Sequence, residues 1–450
     1  MEKKTEYLKS MIWIAAPIAA QNLVNFGVNM MDTLMLGQLG ELPLAASSLA
    51  NQVFFIVTLA VYGIGGGANV LVAQYWGRRD AESIDTVLAY TYRTAMAFAL
   101  LMAAAALFCP GQIMRLFTGD RAVIGQGMRY LRIVSVSYLF YTGTTITTCL
   151  LRAVGDVRIA MKLSLLSLCV NTGLNYLLIF GKCGMPRMGI AGAATATLCA
   201  RTVEFCALMW YINKQESRLH IRLGKLRTVK PGFASLYFKV CIPVTANELF
   251  WALGEAVIAM ILGRMGREVV SANSIYAVVS ELSGVTMSGM NAAAGVVVGQ
   301  AIGRGEKSAL TQIKRQFQGA AVAVGALAAS IMLVCRGFLI DLYQVSDVTK
   351  QYASEMMLVG AAVEFFRSIQ CMNLMGILRG AGDVRFAMWN DLLFLWLFTI
   401  PLGFMAGLVW KLPVLAVYTV LKLDQMLKVF TSGWRLGGTA WMKDLTGDRE

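Results

Sequence analysis

The chain has 450 residues, of which 57% are hydrophobic and 15% charged, with a formal net charge of +14. An ordinary soluble domain carries about 25% charged residues, so this composition excludes a water-soluble globule and makes lipid the solvent. The apolar runs are continuous and do not alternate with period two, which excludes a porin-like barrel and leaves helices that satisfy their own backbone in the bilayer.

Apolar runs of bilayer length, about 20 residues each, predict twelve spans, six before residue 213 at 11–36, 44–75, 87–109, 129–151, 159–180 and 189–212. The other six lie at 240–263, 270–302, 314–335, 355–378, 387–410 and 412–434. The start MEKKTEYLKS runs straight into a full-length span, so the first helix is expected to stay in the protein.

Within the first span, Asn22, Asn25, Asn29 and Asp32 fall on one helical face, and Asp32 is its single acid. This polar stripe is read as facing a cavity. An ionisable group in a span costs several kcal/mol unless paired, protonated or watered, so Asp32 is a proton-carrier candidate; its oxygens could equally hold sodium. In the second span, GIGGGA at 63–68 formally fits a dinucleotide fingerprint, but no strand precedes it. Close helix packing through Gly63 and Gly67 is the expectation.

Residues 213–239 carry seven basic residues and one acidic, and read as a cytoplasmic linker that meets anionic lipid. Lys and Arg concentrate in the loops on the side of the termini, which predicts cytoplasmic termini and makes the charge a topology signal, not a nucleic-acid surface. His220, the one histidine, lies in this linker, so His-based zinc or nucleophile chemistry is not expected. The nine cysteines show no C-x-x-C pair and are read as small apolar packing, with no metal site and no cofactor.

A shift of 226 residues pairs Pro17 with Pro243, Gly37 with Gly263, Ser48 with Ser274, Gln74 with Gln300 and Arg78 with Arg304. A shift of 227 matches LRAVGDVRIAM from Leu151 to LRGAGDVRFAM from Leu378. The chain is therefore a duplication, with lobes at 1–212 and 240–450 joined by the linker at 213–239. Each unit has six spans, an even number, which predicts a pseudo-twofold axis along the membrane normal and a midplane site served by alternating access.

On the seventh span, the positions of Asn22, Asn25 and Asn29 become Glu248, Trp251 and Glu255, an aromatic face between two acids suited to an organic cation. Arg201 with Glu204, Glu364 with Arg367, and Asp424 with Lys428 are three or four apart and are read as local pairs. Glu281 and Asp391 lack such a partner and are further cavity candidates.

The chain resembles the multidrug and toxic compound extrusion (MATE) family of the bacterial kind. The resemblance rests on Pro17 and Asp32, on VNTGLNYLLIFG from Val170, on the duplicated LR-x-x-GD-x-R loops and on NELFWALG from Asn247, and it covers nearly the whole chain. It implies ion coupling at Asp32 with Asn171, and proton-linked bending at Pro17. Some members carry a second acid where this chain has Asn175, so that two-carboxylate site is absent and Asn175 joins the coupling set as an amide. Others place cation-binding acids where an ungapped alignment puts Trp251 and Ser368, with Glu255 and Glu364 each one turn away, which leaves proton against sodium open.

These readings together predict an all-α integral membrane protein of twelve transmembrane helices in two pseudo-symmetric six-helix bundles. Its function is expected to be secondary antiport, exporting amphipathic and often cationic organic compounds in exchange for protons or sodium, as a monomer in the bacterial inner membrane. Neither GK dipeptide, at Gly181 and Gly224, lies in a phosphate-binding loop, which disfavours ATP-driven transport. A flippase for lipid-linked saccharides is the alternative of related architecture; a membrane-embedded enzyme and a channel are weaker.

Overall fold

The structure, a computed structural model, describes residues 2–214, 230, 232–341, 343 and 345–447. Most of the basic linker, His220 included, lies outside the described residues.

The helices are α1 (Glu2–Gly37), α2 (Glu41–Arg78), α3 (Ala81–Phe108), the short α4 (Pro110–Phe117), α5 (Arg121–Val134), α6 (Ser137–Ala153), α7 (Arg158–Phe180) and α8 (Ile190–Lys214). They continue as α9 (Phe233–Met265), α10 (Arg267–Gly303), α11 (Lys307–Asp341), α12 (Asp347–Cys371), α13 (Val384–Leu393), α14 (Ile400–Phe404) and α15 (Val414–Gly437). Wider π-helical turns extend α12 through Leu378 and join α13 to α14 and on to Val409. Pro401 lies in that run, where its missing N–H removes one bond of the regular ladder.

Among the described residues, eight helices are long and apolar enough to cross a membrane, and nine if α5 and α6 form one bent span. The remaining three of the twelve passages are α8, α12 and α15. These hold the pairs Arg201–Glu204, Glu364–Arg367 and Asp424–Lys428, whose charges lower their mean hydropathy. The fourth predicted span is bent by 50° between α5 and α6. Ser135 donates to the Arg132 carbonyl at 3.0 Å and Ser137 to that of Val134 at 2.6 Å, the back-bonding that opens a helix.

Helix starts follow side-chain capping. Asp80 accepts from the Ser83 backbone at 3.0 Å before α3, Asp120 from Ala122 at 2.8 Å before α5, and Ser346 from Thr349 at 3.3 Å before α12. Helix α7 ends on Gly181 at φ 69°, a left-handed cap that glycine adopts without strain.

Packing groups the chain into two compact units. One, here the C-terminal unit, contains residues through Ala19, Ala73–Arg79 and all from Ala246; the other, the N-terminal unit, contains Ala20–Val72 and Asp80–Thr245. The boundary crosses α1 after Ala19 and α9 after Thr245, two residues beyond Pro17 and Pro243 in turn.

Within the N-terminal unit, the glycines of GIGGGA receive α9 at backbone contact. A Cβ on Gly63 would meet Thr245 Cα at 2.5 Å, and one on Gly67 would meet Cys241 Cα at 2.7 Å. Close packing, not dinucleotide binding, is their use. Within the C-terminal unit, the segment after α15 folds back, with Trp441 fully buried. Asp383 of the second LR-x-x-GD-x-R loop accepts from Arg435 at 2.8 Å and forms an ion pair with Lys443 at 2.5 Å. Gln74 bonds the Lys443 carbonyl and the Leu445 N–H, while Arg78 bonds Asp444 at 3.3 Å and the Thr446 carbonyl.

Candidate functional site

Asp32 stands on α1 and meets the buried face of α7, where Ser164, Ser167, Asn171 and Asn175 recur at helical spacing. Asn175 donates its amide to Asp32 Oδ1 and, at 3.1 Å, to Asn171 Oδ1. Asn171 in turn donates to Thr197 of α8 at 3.5 Å. Asn175 is fully buried, and its own Oδ1 has no donor among the described residues. The carboxylate is thus held by neutral amides, and no cation among the described residues forms an ion pair with it.

Asp32, Asn171 and Thr197 of this network line a cavity of about 940 Å³ inside the N-terminal unit, with Asn175 behind them. Asn25, Asn29 and Asp32 contribute from α1, Tyr62 from α2, Tyr130 from α5, and Tyr141, Thr145 and Arg152 from α6; Asn171, Arg201 and Glu204 complete the wall. Arg201 bonds Glu204 at 2.7 Å and lies 5.3 Å from the centre of the Tyr141 ring. Tyr130 donates to Asn51 at 3.2 Å. The walls therefore combine aromatic faces, hydroxyls and amides with two acids and two arginines.

The structure gathers Asn25, Asn29, Asp32, Asn171 and Asn175 in this one place, while Asn22 is not on the cavity wall. Pro17 lies inside α1 in the stretch that belongs to the C-terminal unit. Sequence reasoning took Arg201–Glu204 as a self-contained pair and Arg152 as part of a loop motif. Both arginines line the cavity, and the Arg201–Tyr141 contact joins residues too distant in sequence for helical spacing to reveal.

The C-terminal acids have other surroundings. Glu248 bonds Arg379 at 2.8 Å, and Glu255 lies 3.8 Å from Lys422. Trp251 packs against the apolar core built by Ile258, Tyr276, Leu395, Tyr418 and their neighbours. Asp391, which has no partner on its own helix, shares Lys428 with Asp424, at 2.5 and 2.7 Å. Asn247 completes the chain, its amide nitrogen 3.2 Å from Asp391 and its oxygen 3.2 Å from Arg379 in the orientation that satisfies both. Glu364 is fully buried and accepts from Tyr276, Ser280 and Arg367. Glu281 is exposed on α10.

The MatE family model matches the chain twice, at residues 17–177 and 243–405. The chain belongs to the MatE family. Its two matches start on Pro17 and Pro243, so they register the duplication as well as the family. The probable multidrug resistance protein NorM of Agrobacterium fabrum is 26% identical over 421 residues, covering 90% of each chain. The multidrug resistance protein PmpM of Pseudomonas aeruginosa is 25% identical, covering 89% of this chain and 84% of its own. A crystal structure of MATE in the bent conformation superposes with a TM-score of 0.88 at 17% identity, over 98% of this chain and 97% of that one. An outward-facing multidrug resistance MATE transporter of the MOP superfamily gives 0.86 at 18%, over 96% of each. MatE proteins are transporters, so the enzyme alternative is set aside and the chain is a multi-pass membrane transporter of small molecules.

Proposed function

We propose that the chain is a secondary antiporter that exports amphipathic organic compounds, cations included, in exchange for inward protons or sodium by alternating access. The observation that carries this reading is the state of Asp32. Glu204, the other acid on the cavity wall, is ion-paired with Arg201, whereas Asp32 is held by amides and has no ion-pair partner among the described residues. An unneutralised carboxylate in a span is costly, and binding a proton or a metal cation relieves that cost. Release of the ion restores it, so occupancy of Asp32 biases whatever conformations differ in access to the cavity. Asn171 and Asn175 orient the carboxylate, Pro17 lets α1 bend as the ion comes and goes, and the two six-helix lobes joined by the linker at 213–239 alternate the access. The names of NorM and PmpM support multidrug substrates, and the basic loops support cytoplasmic termini in a bacterial inner membrane. The protein is taken to act as a monomer without a cofactor, its basic linker touching anionic lipid.

The test is export of a fluorescent cationic dye from proteoliposomes under a proton gradient and, separately, a sodium gradient. Efflux driven by one of the two in the wild type, and by neither in Asp32→Asn, is the expected result. Equal efflux by the variant at equal protein content would remove Asp32 from the coupling role.

A further inference from the structure

The duplication sets two arginines at equivalent places, Arg152 and Arg379, each the second residue of an LR-x-x-GD-x-R loop. In the C-terminal unit, Arg379 is neutralised by Glu248 at 2.8 Å and further held by the Asn247 oxygen. The position equivalent to Glu248 in the first repeat is Asn22, a neutral amide. The Arg152 guanidinium has no hydrogen-bond or ion-pair partner among the described residues, and it lines the cavity. The repeat has kept the cation and lost the anion that answers it.

Helix polarity then places Arg152 relative to Asp32. Asp32 lies five residues before the C-terminal end of α1, the first passage, and Arg152 one residue before the end of α6, the fourth. First and fourth passages run in opposite directions, so these helix ends point to opposite faces of the membrane. The cavity therefore has a carboxylate without an ion-pair partner among the described residues toward one end and an unpaired guanidinium toward the other, with Tyr62 and Tyr141 also on its walls. Its remaining charges, Arg201 and Glu204, cancel each other.

We propose that Arg152, on the wall of the N-terminal cavity, is the binding residue for an anionic group of the substrate. The guanidinium presents a planar fork of donors matched to a carboxylate, and a ligand that supplies the missing anion completes the pair that Glu248 completes in the other repeat. This rests on the cavity's being the transport site. It assigns to one residue the recognition of the anion on such a substrate.

The test uses a rhodamine bearing a free carboxylate and the methyl ester of the same dye, which differ only in that anion. Equilibrium titration of the purified protein, and export from vesicles made without anionic lipid, are measured for the wild type, Arg152→Gln and Arg152→Lys. The wild type is expected to bind the acid about tenfold more tightly than the ester, the order of one charge-assisted hydrogen bond. That ratio should fall to about one in Arg152→Gln and take an intermediate value in Arg152→Lys, whose ammonium keeps the charge but not the fork. Equal wild-type affinity for both dyes overturns the assignment without any variant's having to fold, and so does a preference that survives in Arg152→Gln. The binding ratio needs no gradient, so the two readings fail separately: wild-type vesicles that export neither dye overturn antiport, while the titrations decide Arg152.

Discussion

The amide of Asn175 donates to the carboxylate of Asp32 across the interface of α7 and α1, and the same amide nitrogen reaches Asn171. One buried donor thus serves two acceptors. Replacing Asn175 by Ala leaves the carboxylate without it, and should cost about 1–3 kcal/mol of stability, read as a lower melting temperature in detergent. Asp32→Asn keeps an oxygen in the same place and should melt close to the wild type while losing its response to a gradient. A variant that loses both together would make the residue structural.

Glu364 is fully buried beneath Tyr276, Ser280 and Arg367. Truncation to Ala strands the Arg367 guanidinium and is expected to cost on the order of 3–5 kcal/mol. The same truncation at Glu268, whose partner Arg267 is 93% exposed, should leave the melting temperature unchanged, because solvent screens such pairs. Similar shifts at both sites would show that burial does not set the strength of these pairs.

Gly67 and Gly66 are neighbours with different surroundings. A Cβ at Gly67 would lie 2.7 Å from Cys241 Cα, a backbone atom, whereas one at Gly66 would lie 3.4 Å from a methyl of Val244. Gly67→Ala should therefore destabilise by about 1–3 kcal/mol through forced separation of α2 and α9, and Gly66→Ala by much less. Thermal melts of the two variants side by side decide it.

Asp444 anchors the segment after α15 from outside the membrane. Partial burial raises its carboxyl, but hydrogen bonds from Thr446 and the charge of Arg78 outweigh this and hold it below the usual aspartate range. A depressed folded value means that the anchor is complete above the ordinary aspartate range and is lost as pH falls through the folded value. Hydrogen exchange at the 438–447 backbone should accordingly be slow near neutrality and faster, relative to the intrinsic rate, in acid. Asp444→Asn should exchange faster already at neutral pH, and protection equal to that of the wild type would exclude the anchoring role.

Much of this architecture is legible in the residue order. Continuous apolar runs place the spans, the pairing of Pro17 with Pro243 and of the LR-x-x-GD-x-R loops gives the duplication, and of the polar face spaced as Asn22, Asn25, Asn29 and Asp32 all but Asn22 line the cavity. The break between α5 and α6 was missed, because apolarity is blind to the serine back-bonds of Ser135 and Ser137. The neutralisation of Glu248 by Arg379 and of Asp391 by Lys428 was missed for another reason. These partners sit on different helices, and helical periodicity pairs only residues of one helix. What the order of residues does hold, once Glu248 and Arg379 are seen to touch, is the exception at Asn22 and Arg152.

The three passages that carry buried ion pairs also bear on how the chain is made. Each of them, α8, α12 and α15, directly follows a more apolar passage and packs on it: α8 on α7, α12 on α11, and α15 on the run of α13 and α14. Two of those leading passages, with mean hydropathies of 2.0 and 2.2, are the most apolar of all the membrane-length helices described. During synthesis, a segment holding Lys428 and Asp424 partitions poorly from the translocon when it arrives alone. Arriving second, it meets a helix already seated in the bilayer and can enter as the return arm of a hairpin, its charges mutually neutralised. Insertion at these three places is therefore expected to go in couples, with each polar passage following the apolar one ahead of it.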